Sequence, residues 1–225
     1  MIPTIDGKPH RFIVGGLYDG VFVAQDIETK TLWNHVTGEA LHGPLAGRHL
    51  PVSNLLQMNV KQALAMDPEV RVAISTRPFV SGARRSQLAN PNADLNDRFM
   101  STMGPEDTRR PRMELGLGVW TGTTHRFYPL ERIRQRGEAF VDEIDGRKLL
   151  VYIDPEAATP AALFVNAGGA KAVGKEIRLD TGDVVRSGVL MDPRGRRRNV
   201  DSPQQLFTRW YGFALTFPGC DVFGG

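Results

Sequence analysis

The densest group of chemically capable side chains is Trp33, Asn34, His35, Thr37, Glu39 and His42. His35 and His42 stand seven positions apart with Glu39 between them, a donor set that a folded loop could gather around a divalent metal ion. The same residues have a plainer reading. In a strand, Trp33 and His35 share one face opposite Asn34, so Trp33 anchors a core and His35 is its half-buried neighbour. That reading expects no metal and keeps Trp33 and His35 as ligand-binding candidates. Asp26, Glu28 and Glu39 offer carboxylates of the kind a general acid–base pair uses, although Asp26 opens a turn that its own side chain can cap.

Further along, Tyr152 and Asp154 close the apolar run Leu149 to Ile153. Strand ends on a rigid scaffold are where binding residues gather, which makes both candidates, although Asp154-Pro155 also reads as a turn. Arg209, beside Trp210, Tyr211 and Phe213, offers a cationic and aromatic surface. At helical spacing Trp210, Phe213, Ala214 and Phe217 read instead as a core face. Arg194 and Arg196 to Arg198 form a basic run that either holds an anion or is simply solvated. Nucleophilic catalysis has little support. Cys220 has no histidine within ninety positions upstream, no Gly-x-Ser-x-Gly elbow occurs, and Gly15-Gly16 and Gly168-Gly169 lack a phosphate loop's Lys-Ser/Thr ending.

The elements that must position these residues are mostly strands. Arg11 to Val14, Val21 to Ala24 and Thr31 to Trp33 are short apolar runs, the first two joined by Asp19-Gly20. A helix is expected over 54–66, capped by Ser53 or Asn54, with Leu55, Leu56, Val60, Leu64 and Met66 inward; Asp67-Pro68 stops it. Val70 to Ile74 reads as a strand. Residues 77–112 are rich in arginine and poor in large apolar residues. They read as an irregular connector with Phe79, Leu88, Leu95 and Phe99 as isolated anchors. Strands resume from Met113 to Trp120, at Phe127, and over Ala139 to Ile144 and Leu149 to Ile153, the last two turning at Asp145-Gly146. Leu163 to Val165, Ile177 to Leu179 and Val184 to Met191 continue the series, and 206–217 is expected as a second short helix.

The chain has 225 residues, 24 Gly, 15 Pro and a net charge of only +3, with 41% hydrophobic residues. Such a chain buries a core, turns often, and carries no charge excess that would specify nucleic acid. A single cysteine excludes an internal disulfide and a cysteine-pair metal site. No apolar run reaches the length of a membrane span, and the opening MIPTIDGKPHRF is no signal peptide, which points to the cytoplasm unless an upstream leader is missing. The fold class expected is α+β and β-rich: antiparallel sheets or a barrel-like core with two short helices, in one domain over 1–225. Residues 13–74 and 177–223 echo each other loosely, each with a Gly-containing hairpin, an Asp-led turn, a helix-like segment and a proline, as a duplication would leave.

The ordered segments LYDGVFVAQDIETKTLWNHVTGEALHGPLAGRHLP, EDTRRPRMELGLGVW, HRFYPL, GRKLLVYIDPEAATPAALF and RWYGFALTFPG resemble the bacterial domain-of-unknown-function 3179 family over nearly the whole chain. The resemblance implies a layout and no reaction. Many members carry a Cys-x-x-Cys element just before the stretch that here begins at Thr4-Ile5-Asp6-Gly7. This sequence starts after that point, so no metal or redox role carries over from it. The expectation is a non-catalytic binding or structural module with no cofactor, acting on a small ligand or protein partner. The alternative is a metal-dependent enzyme built on His35, Glu39 and His42.

Overall fold

The computed structural model of the chain describes residues 3–76 and 95–224. They divide into two compact units: Met1–Ser53 with Asp94–Arg110 and Tyr211–Gly219, and Asn54–Ala93 with Pro111–Trp210 and Cys220–Gly225. Strands dominate both. The four helices among the described residues are short: α1 (Val60–Met66), α2 (Asp97–Met100), α3 (Leu130–Gln135) and α4 (Trp210–Thr216). None of them is long and apolar enough to cross a membrane.

In the first unit β1 (Thr4–Ile5) pairs with β2 (Lys8–Pro9), and β3 (Phe12–Tyr18), β4 (Val21–Asp26), β5 (Leu32–Asn34) and β6 (Ala40–His42) form an antiparallel meander in chain order. Asp19-Gly20 makes the β3–β4 turn with φ of 48° and 67°. This left-handed pair gives the mirror-image turn whose twist matches a hairpin, as the sequence predicts. Trp33, Ile5 and Ala40 are buried together beneath Phe12, Ala24, Leu45 and Leu50. The edge strand β3 buries none of its residues.

The second unit continues with β7 (Leu115–Trp120), β8 (His125–Pro129), β9 (Ala139–Ile144), β10 (Arg147–Ile153), β11 (Pro160–Phe164), β12 (Ala170–Val173), β13 (Glu176–Leu179), β14 (Val184–Arg186), β15 (Val189–Met191), β16 (Gln204–Arg209) and β17 (Asp221–Val222). They form sheets in the orders β16-β7-β8-β17, β11-β10-β9 and β12-β13-β14-β15; only β17 joins parallel, and none is a closed barrel. Strand β10 organises the unit. Leu149, Val151 and Ile153 enter one core cluster with Leu117, Val119 and Tyr128, and Leu150 and Tyr152 enter another with Leu163, Ile177 and Leu190. A strand with both faces buried reads as a continuous apolar run because its period of two is hidden.

Several elements depart from expectation. The predicted helix over 54–66 begins only at Val60, where Asn59 and Gln62 form a reciprocal capping box. Within 206–217 the helix begins at Trp210, because Leu206 and Phe207 pair with Gly118 and Leu117 in the sheet. Val70 to Ile74 is exposed and has no ladder partner among the described residues, so its β-propensity goes unused there. Of the connector, 77–94, with Phe79 and Leu88, lies outside the described residues. Residues 95–112 hold only α2, and the Phe99 ring meets Tyr211 edge-on at 5.8 Å.

Candidate functional site

Tyr152 and Asp154 are the two sequence candidates that the fold brings together. A spacing of two along and just past β10 puts both on one side. They line a pocket of about 50 Å³ in the second unit. Leu163, Leu117, Phe207, Leu56 and Met66 supply its apolar lining, and Gln62 and Gln205 its buried amides.

The polar groups divide into committed and open atoms. Asp154 is 6% exposed, and its Oδ1 accepts from Gln62 Nε2 at 2.8 Å, from the Glu156 amide at 2.8 Å and from the Ala157 amide at 2.9 Å. All three bonds go to Oδ1; Oδ2 accepts from none of the described residues and is not sealed from solvent. Gln205 is closed on Ala162, accepting from its amide and donating to its carbonyl, each at 2.8 Å. Tyr152 is 3% exposed, and its hydroxyl bonds to none of the described residues. Burial, and then the neighbouring Asp154 carboxylate, hold that hydroxyl well above the ordinary tyrosine range, so it stays protonated. The pocket is therefore lined by one residue with a donor-acceptor and one with an acceptor left over, beside Thr159, Ser187 and a mainly apolar wall.

The wall formed by 54–66 is held by polar tethers rather than by packing. Asn54 bonds both the Pro203 carbonyl and the Gln205 amide, Thr159 bonds the Gln57 carbonyl, and Arg197 reaches the Met66 carbonyl at 2.8 Å. Glu156 accepts from Ser187 at 2.7 Å and from Lys61 at 3.3 Å. The Ser187 hydroxyl, then Lys61, hold the Glu156 carboxyl below its usual range. Gln62 is the buried residue of α1, whereas Leu55 is 78% exposed and Val60 and Leu64 also face water. The apolar stripe read from the sequence is thus split: Leu56 and Met66 line the pocket, while Leu55, Val60 and Leu64 are exposed. The signal for Gln62 was present in the Asn59-x-x-Gln62 spacing, which marks a capping box.

The remaining candidates lie elsewhere. Trp33 is buried as expected, and its Nε1 donates to Asp26 Oδ2 at 2.9 Å. Asp26 is fully buried and accepts from the Thr29 amide at 2.6 Å, the turn-capping role expected. Burial pushes its carboxyl up, but Trp33 and Thr29 outweigh this and hold it below its ordinary value. His35 is exposed rather than half-buried, because β5 ends at Asn34 and the histidine falls in the following turn, where Nδ1 meets the Phe22 carbonyl at 2.6 Å. Glu39 bridges to His49, His42 is exposed, and the three do not converge as a metal-ligating group among the described residues. The group that does converge is His10, Asp26 and Glu28. Sequence reasoning missed His10 because only the hairpin pairing brings it beside Asp26. Arg209 ends β16 and donates to the Met113 carbonyl at 2.8 Å. In the basic run Arg196 pairs with Asp192 and Arg198 with Asp183, so those cations serve local turns.

A family model with the description Protein of unknown function (DUF3179) matches residues 3–214. No curated protein and no solved structure matches the chain.

Proposed function

Because the chain belongs to the DUF3179 family, whose description assigns no reaction, we propose its function from its own geometry: it is a binding module, and the Tyr152–Asp154 pocket takes the short apolar end of a ligand that carries a hydrogen-bond donor. The observation that carries this reading is that Tyr152 and Asp154, whose Oη and Oδ2 bond to none of the described residues, line one mainly apolar pocket. Neither atom is sealed from water, so a donor-bearing guest exchanges water for a protein hydrogen bond, worth about 1.5–3 kcal/mol where the group is charged. About 50 Å³ admits a group of a few heavy atoms, the terminus of a larger molecule or a small alcohol or amine. The lining favours binding over catalysis. Ser187 is the hydroxyl nearest to being activated, and its partner Glu156 is held below the usual carboxyl range, which makes it a weak base at neutral pH.

Titration of isotope-labelled protein with n-propanol, n-propylamine and propionate, followed by amide shifts, tests the reading. Propanol and propylamine should move Gln62, Tyr152, Ala161 and Gln205, and propionate should not. Asp154→Asn keeps an oxygen for the three donors at Oδ1 but presents an amide donor at the open position. Propylamine affinity should then fall about tenfold or more. Shifts confined to other residues, or binding unchanged in Asp154→Asn, would overturn the assignment.

A further inference from the structure

The second cluster lies wholly in the first unit, and its geometry has no role in the pocket. His10 follows β2 and is 6% exposed; its Nδ1 is buried with no hydrogen-bond partner among the described residues. That nitrogen stands 3.4 Å from Asp26 Oδ1, beyond the ordinary range for a hydrogen bond. With metal–nitrogen and metal–oxygen bonds of about 2.0–2.2 Å, two ligands of a tetrahedral ion lie about 3.3–3.5 Å apart. The observed separation therefore fits two ligands of one ion better than a donor and its acceptor. Ligand atoms of His10, Asp26 and Glu28 all lie within 4.8 Å of one another.

We propose that His10, Asp26 and Glu28 are the three protein ligands of a divalent transition-metal site of the zinc type, with its remaining position open to water. The two carboxylates have the capacity. Thr29 has one hydroxyl proton and lies within bonding distance of Asp26 Oδ1, Asp26 Oδ2 and Thr31 Oγ1, so it saturates only one of them. Donation to Oδ2 or Thr31 leaves Oδ1 with the Thr29 amide and a free lone pair. Trp33 on Oδ2 then acts as the outer partner that orients a ligating carboxylate. Glu28 accepts from the Arg11 amide at 2.9 Å and Nε at 3.0 Å, one bond per oxygen, which leaves each oxygen a second lone pair. The Arg11 side chain is 71% exposed, and such a pair yields easily to a stronger cation. An imidazole among the ligands selects zinc, cobalt or nickel over calcium and magnesium, which take oxygen.

The test uses chelator-stripped full chain titrated with Co²⁺, whose visible bands report a low-coordinate nitrogen–oxygen site, followed by competition with Zn²⁺. One equivalent should bind with visible absorption that Zn²⁺ displaces. His10→Gln should abolish the bands. Glu28→Gln, an exposed change that leaves the buried network in place, should weaken affinity about tenfold or more. His35→Ala and His42→Ala should leave binding intact. Absence of a stoichiometric band, binding indifferent to His10→Gln and Glu28→Gln, or loss on His35→Ala or His42→Ala alone would each overturn the site.

Discussion

At the scale of single residues, the buried carboxylates are best understood by where each oxygen goes. Asp26 is fully enclosed and is kept charged by Thr29 and Trp33. Trp33→Phe keeps an aromatic ring in the core but shrinks it and removes the Nε1 donor from Oδ2. It should cost at least about 1.5–3 kcal/mol in urea unfolding, the penalty for a buried charge losing a partner, with the packing lost from the smaller ring in addition; a cost near zero would mean that Thr29 alone suffices. Trp33 as an anchor and Asp26 as a turn cap were legible because both follow from local spacing. The orphaned His10 nitrogen was not, since its proximity to Asp26 arises from tertiary pairing across sixteen positions. Tyr152 and Asp154 were legible as candidates from their place at a strand end, but nothing local showed that Gln62 would seal Oδ1 and leave Oδ2 open.

At the scale of elements, turn chemistry was the most readable feature. Asp145-Gly146 forms the β9–β10 turn with φ of 49° and 71°, matching the Asp19-Gly20 hairpin. Helix direction was less readable. The stripe Leu55, Val60, Leu64 has helical spacing, yet the polar tethers of 54–66 turn it outward. Hydrophobic period predicts a face only where packing, not hydrogen bonding, fixes the segment. Glu156 supplies a pH handle on this wall. Its folded-state pKa lies below the ordinary 4.5. Its contribution is therefore complete above that value and is lost as pH falls through the lower folded-state value. Acidification into that window should shift the Ser187 and Lys61 amides, whose side chains hold the carboxylate, and Glu156→Gln should remove the step; a step that persists in the variant would assign it to another carboxyl. Strand β7 offers a second test. A Cβ at Gly116 would sit 2.4 Å from the Phe127 ring and 2.5 Å from the Tyr128 carbonyl. Gly116→Ala should destabilise the chain by about 1–3 kcal/mol in denaturant unfolding, as overpacking of a filled core does.

For the whole molecule, the two units differ in how they bury their strands. β10 is covered on both faces, whereas β3 buries nothing and exposes Ile13, Val14, Leu17 and Tyr18. Amide exchange should accordingly be slowest at Leu149 to Tyr152 and much faster along β3, because protection tracks the apolar contacts broken on opening. Equal protection in both strands would show that they open as one cooperative body. The sheet order β16-β7-β8-β17 also has a consequence for how the chain is made. Residues 121–203 separate the end of β7 from the start of its partner β16, a gap of about 80 residues that takes roughly 4–16 s to synthesise at about 5–20 residues per second. In the later part of that interval Leu117 and Val119 have left the ribosome while the strand that completes their sheet is still untranslated. Nascent-chain chaperones have this unpaired strand edge to cover, so cooler growth should raise the yield of soluble protein even where the finished fold is no more stable.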